Sequence, residues 1–189
     1  MGCDIHAHVI VKRPVYVKSE DENGARKYVR DGYKWELVNL WEKAATDKNK
    51  NESECGLVPA ECWYGRDYTL FGVLAGVRSN EYPPIDCPRG FPIGCPRELI
   101  DFVETEWGDS AHSVSWLSLG ELNKAVRNKK KYPKWETWED EDGIVHKSDE
   151  YPGPHAALKD FRNSVRHFAD LAYWIDDEED VRVVFFFDS

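Results

Sequence analysis

Apolar and polar positions alternate from the start of the chain. In DIHAHVIVKR, Ile5, Ala7, Val9 and Val11 fall on one parity and Asp4, His6 and His8 on the other. Strand side chains alternate faces, so this period of two predicts a strand over residues 4–13, which PVYV (14–17) extends past a proline kink. SEDENGAR (19–26) reads as a turn or loop. Tyr28-Val29 and KWELV (34–38) read as two short strands around Asp31-Gly32, a dipeptide that favours tight hairpins. The polar stretch TDKNKNESECG (46–56) reads as an exposed loop.

The period then lengthens to three and four. RDYTLFGVLAGVR (66–78) predicts a helix with Leu70, Phe71, Val73, Leu74 and Val77 inward and Asp67 or Thr69 as its N-cap. Gly72 and Gly76 each cost about 1 kcal/mol against alanine in a helix, which implies close approach by another element or by a ligand. SNEYPPIDCPRGFPIGCP (79–96), with five prolines and two glycines, cannot form a regular element. PRELIDFVETEWG (96–108) predicts a second helix that buries Leu99, Phe102, Val103 and Trp107 and stops at Gly108. DSAHSVSWLSLGEL predicts a short strand or turn entering a third helix, with Ser118 and Glu121 spaced as a capping box.

Residues 127–154 are the least core-like segment: a basic block abuts an acidic one, with Trp135 and Trp138 between them. The segment reads as a polar insertion or flap, and Lys129, Lys130 and Lys131 as a solvated face. HAALKDFRNSVRHFADLAYWI (155–175) carries the strongest helical period. VRVVFFF, after the acidic DDEED, has the unbroken apolar character of a central strand covered on both faces. Strands at the two ends and helices between them predict an α+β single domain. Its N- and C-terminal strands pair in a small sheet packed by three to four helices.

Composition narrows the class. With 41% hydrophobic residues, eight Trp, nine Tyr and eight Phe in 189 residues, the chain has ample core formers and is not disordered. A net charge of −10 argues against general nucleic-acid binding but leaves room for a local positive pocket for a small phosphorylated ligand. No run approaches the roughly 20 apolar residues of a membrane helix. The first apolar run is broken by Asp4, His6, His8 and Lys12, unlike a signal peptide, and His6 stands where a myristoylation pattern wants Ser or Thr. The expectation is a cytoplasmic protein with no membrane association. Five cysteines without CxxC spacing predict free thiols in a reducing compartment.

The candidate chemistry begins with the first strand. Asp4, His6 and His8 on one face form a two-histidine, one-carboxylate set suited to zinc, manganese or iron, to which Asp188 adds a second carboxylate if the end strands pair. A divalent metal there would activate water, with His6, His8 and His112 as the catalytic histidines. The alternative is a half-exposed strand face whose histidines form ordinary hydrogen bonds. DIHAH resembles the first-strand motif of the amidohydrolase and PHP metal hydrolases over five residues. Those are (β/α)8 barrels of about 250 residues, and this chain is too short to be one. Around His112, the 2H phosphoesterase pattern wants a hydroxyl residue where Val114 stands. Arg66, Arg78 and Arg89 lie near Trp63, Tyr64 and Tyr68, and together could offer cations and an aromatic platform to a nucleotide-sized ligand. The alternative is a helix start anchored by surface salt bridges.

Taken in order, MGCDIH, RDYTLFGVLAGVR, PRGFP, HSVSWLSLGEL and VRVVFFFD resemble a family of uncharacterised phage and prophage accessory proteins. The resemblance spans most of the chain and implies a bacterial cytoplasm during infection. By analogy of setting, it implies a protein that binds or degrades a small nucleotide-type ligand and so counters a host nucleotide-signalling defence. Two other functions remain open. One is a metal-dependent phosphoester hydrolase unrelated to defence. The other is a non-enzymatic inhibitor that docks a host protein through the Trp135–Trp138 flap.

Overall fold

The computed structural model describes residues 2–188 except 23, 39–40, 44–56, 173–174 and 176. The main sheet is antiparallel. β1 (Ile5–Glu20) lies between β2 (Arg26–Leu37) and β9 (Val181–Phe187), and β6 (His112–Ser118) pairs the far side of β9. β5 (Trp63–Gly65) pairs the first residues of β1, on the side that β2 occupies further along. The register runs from Ile5 opposite Phe187 to Val11 opposite Val181. The two end strands are therefore neighbours at the centre of the sheet, and the chain is an α+β protein.

Parity along β1 sorts its side chains between two cores. Ile5, Ala7, Val9 and Val11, with Val181, Val183, Phe185 and Phe187, pack against α1 (Tyr68–Ala75), α3 (Leu119–Arg127) and α4 (His155–Leu171). On the opposite face Ile10, Val184 and Phe186 meet Leu37 and the segment that begins with α2 (Arg97–Phe102), through Leu99 and Val103. Each such fully buried aliphatic or aromatic side chain contributes about 1.5–3 kcal/mol. Both faces of β9 are covered, which accounts for its unbroken apolar sequence.

Four local features differ from the sequence expectation. β2 is one strand rather than two, and its hairpin turn is the one expected within 19–26, closed by Asp21 N–H to the Ala25 carbonyl at 3.0 Å. Asp31-Gly32 is instead a bulge: Pro14 pairs Tyr33 and Tyr16 pairs Arg30, so these two residues oppose Val15 alone, with Gly32 at φ +104°. The first helix is shorter than 66–78. Asp67 caps it by accepting from Leu70 N–H at 2.9 Å, and Gly76 ends it at φ +68°. Gly72 is required by the returning chain: a Cβ there would sit 2.7 Å from the Ser79 carbonyl oxygen. The second helix loosens after Phe102 into a π-helical turn, Val103–Trp107. The Ser118–Glu121 capping box forms as expected. The loop expected at 46–56 lies outside the described residues. β7 (Trp135–Glu139) and β8 (Val145–Pro152) form a separate hairpin within the polar segment. β3 (Trp41–Lys43) and β4 (Leu57–Pro59) form another two-stranded pair.

Candidate functional site

The ladder between β1 and β9 brings the two ends of the chain together. Asp188 N–H donates to the Asp4 carbonyl at 3.1 Å, and Asp4 N–H donates to Asp188 Oδ1 at 2.5 Å. Just before β5, Cys62 N–H donates to the Ala7 carbonyl at 2.8 Å, which sets Glu61 beside His6. Glu61 Oε1 lies 2.7 Å from His6 Nδ1, and Asp188 Oδ2 lies 3.6 Å from His6 Nε2. The imidazole packs on Trp107 and Phe186, with ring centroids 4.1 and 5.0 Å away. Burial opposes charging His6, but the hydrogen bond and negative charge of Glu61, reinforced by Asp188, outweigh it and raise its pKa above the ordinary value.

Arg66 closes the outer side of this group. Its Nε and NH2 reach the two Asp4 oxygens at 3.1 and 3.2 Å, a paired fork. The guanidinium lies directly over Gly2, where a Cβ would come within 2.0 Å of it. Tyr64 pairs with His6 across β5 and β1, shares its face and is exposed. His112 sits at the same end of the sheet, opposite Phe187, with Nε2 3.8 Å from the buried Cys3 thiol and Nδ1 3.1 Å from Ser113 Oγ. The sheet end therefore gathers Asp4, His6, Arg66 and Asp188 and adds Glu61, while His112, in register with Phe187 and Ile5, lies beside Cys3 on the other face. Sequence reasoning gave Glu61 no role, since 55 positions separate it from His6.

His8 shares the His6 face, as strand parity requires, but α2 and the turn after it cover that face. It is fully buried, its Nδ1 lies 3.2 Å from the Ala60 carbonyl oxygen, and Phe102 packs edge-on at 5.7 Å. Burial pushes its pKa down to about 4, so the ring is neutral at ordinary pH. With His8 turned to a main-chain acceptor and Asp4 engaged by Arg66, no three His, Cys, Asp or Glu side chains converge as a metal-ligand group among the described residues.

The residues expected to bind a ligand are dispersed. Trp63 faces the α4 core, 5.8 Å from the Phe161 ring. Tyr68 packs on Phe71 at 5.6 Å, and Arg78 is exposed after α1 at φ +63°. Arg89 is committed elsewhere. It binds Asp86, reaches Glu121 Oε1 at 2.7 Å and lies 4.8 Å from the Trp116 ring centroid.

A different place combines cations with an aromatic ring. Between the end of α3, the start of β7 and the start of α4 lies a cavity of about 710 Å³, within the usual range for small-molecule sites. Arg127, Lys129, Lys134, Lys159, Trp135 and His155 line it, with Asp160 as its one carboxylate among the described residues. None of the three lysines is in an ion pair among the described residues. Its geometry is fixed at the base of the β7–β8 hairpin. Gly153 N–H donates to the Lys134 carbonyl at 2.9 Å and His155 N–H to the Pro133 carbonyl at 3.2 Å. Gly153 must lack a side chain, because a Cβ would stand 2.5 Å from the Pro133 oxygen. His155 is only 8% exposed, and its buried Nδ1 has no hydrogen-bond partner among the described residues. Burial, then the charges of Lys129, Lys134 and Lys159, lower its pKa. In sequence these cations are spread over 33 positions and look like a solvated face.

Among the described residues no helix is long and apolar enough to cross a membrane. No family model, curated protein or solved structure matches the chain.

Proposed function

We propose that the protein binds a small nucleotide-type phosphorylated ligand and holds it intact in the cavity beneath Trp135. One observation carries this reading: a chain of net charge −10 concentrates Arg127, Lys129, Lys134 and Lys159 around one cavity and places an indole beside them. Like-charged side chains repel, so gathering them around a concave surface has a cost that an anionic ligand removes. An aromatic face beside the cations suits a base, whose stacking on such a ring is worth about 1–3 kcal/mol. In the phage setting that the sequence resemblance implies, such binding would withdraw a host nucleotide signal.

Titration calorimetry with ADP tests this reading. The account expects saturable binding to the full chain that weakens with salt. Lys134→Glu and Lys159→Glu should each weaken it by at least tenfold, from ~1.5 kcal/mol per charge-assisted hydrogen bond. Both lysines are exposed, so these changes leave the fold alone. Binding unaffected by either reversal contradicts the reading. A second reading, phosphoester hydrolysis, is favoured by the Glu61–His6–Asp188 line at the sheet end. Recovery of altered nucleotide after incubation with zinc or manganese, abolished by His6→Ala, would replace sequestration with hydrolysis.

A further inference from the structure

Resting on that reading, we infer that the cavity selects ligands ending in a terminal phosphoryl group, which sits on His155 and the first turn of α4, over cyclic phosphodiesters. Three independent features meet at that point. His155 is more than nine-tenths buried and lines the cavity, yet its Nδ1 has no partner among the described residues. A buried polar nitrogen without a partner is costly, and the ring that carries it lines the cavity.

The helix supplies the second feature. α4 is 17 residues long, its N-cap is Pro154, no side chain caps it, and no acidic residue occupies its first turn. The His155 amide is taken by the Pro133 carbonyl, while Ala156, next in the turn, also lines the cavity. An uncapped helix start presents amide donors and the positive end of the helix dipole to an anion.

Charge supplies the third. Arg127 and Lys129 from the end of α3, Lys134 before β7 and Lys159 one turn into α4 face the site, opposed by Asp160. A terminal phosphoryl group carries close to two charges on three oxygens and can be shared among these donors. A cyclic phosphodiester carries one charge and two free oxygens, so more of the cations stay uncompensated. His155 fits this arrangement because burial, and then the neighbouring lysines, lower its pKa, so that near pH 7 the ring has one N–H to donate and adds no repulsion.

Calorimetry on the full chain with ADP, AMP, 3′,5′-cyclic AMP and inorganic pyrophosphate decides the matter. The expectation is that ADP binds at least tenfold more tightly than cyclic AMP, the scale of one lost charge-assisted hydrogen bond, or ~1.4 kcal/mol. His155→Ala should erase most of that difference by weakening ADP and leaving cyclic AMP nearly unchanged. His155→Gln, which keeps a donor, should retain part of it and guards against a folding defect in the alanine variant. Equal affinity for ADP and cyclic AMP in the unaltered protein overturns the inference while leaving nucleotide binding in place. So does a loss in His155→Ala that is the same for both. If none of the four probes binds, the proposed function falls, and the inference with it.

Discussion

Glu61 Oε1 lies 2.7 Å from His6 Nδ1 and ties the segment before β5 to the central strand of the sheet. The pKa of the imidazole between Glu61 and Asp188 is raised above its ordinary value, because those carboxylates outweigh the burial that opposes its charge. A histidine whose pKa is raised by folding stabilises the native state fully below its unfolded pKa, about 6.5, and the contribution is lost as pH rises through the folded value. Glu61→Gln keeps the shape and removes the charge. It should cost about 2 kcal/mol near pH 6, where His6 is charged, and much less near pH 9. Melting curves at the two pH values check this, and an equal loss at both would show that the Glu61 charge is immaterial.

His8 acts in the opposite direction. Its pKa falls to about 4 on burial, so between about pH 6.5 and 4 the unfolded chain binds a proton that the native protein refuses. Stability contributed by neutral His8 is present above about 6.5 and drains away as pH falls toward 4. The Cε1 proton of His8, followed by NMR, should show no titration from about pH 8 down to 5. A midpoint near 6.5 would mean that the ring is reached by water.

Gly153 fixes the base of the β7–β8 hairpin, since a Cβ there would lie 2.5 Å from the Pro133 oxygen and 3.0 Å from the Trp135 carbonyl carbon. These are backbone atoms that cannot swing aside. Gly153→Ala should therefore destabilise the protein by about 1–3 kcal/mol and shift Trp135 away from the cavity. Chemical denaturation measures the first effect. ADP titration measures the second, as an affinity loss with Lys134 and Lys159 untouched.

Arg89 links the proline-rich loop to the start of α3 by binding Asp86 and Glu121 at once, with its guanidinium 4.8 Å from the Trp116 ring centroid. Glu121 also accepts from Ser118 N–H at 2.8 Å in the capping box, so one carboxylate serves two elements. Lysine cannot reproduce the planar fork or the stacking. Arg89→Lys should cost about 1–2 kcal/mol in denaturant unfolding, despite the conserved charge. A neutral result would mean that Glu121 is held by the helix cap alone.

The sheet was legible in the chain because parity is a local property. Ile5, Ala7, Val9 and Val11 against His6, His8 and Ile10 predicts two faces, and the apolar run of β9 predicts a strand covered on both. Capping was local too, as at Ser118 and Glu121. The hairpin at Asp31-Gly32 was misplaced because the dipeptide demands a positive φ, and a bulge supplies one as well as a turn does. The sites were harder to read. Asp4, His6 and Asp188 meet because the end strands pair, but nothing local states that α2 will cover His8 or that Glu61 will reach His6. The basic cavity was least visible of all. Lys129, Lys134, His155 and Lys159 converge only after the hairpin crosses at Gly153, and a run of lysines looks the same whether it faces solvent or a hollow.

The location of bound nucleotide bears most directly on all of this. A crystal of the full chain soaked with ADP should show phosphate density beside His155 and the first turn of α4, with the base against Trp135. Density at the Asp4–Arg66 end of the sheet, with the cavity beneath Trp135 empty, would contradict the account.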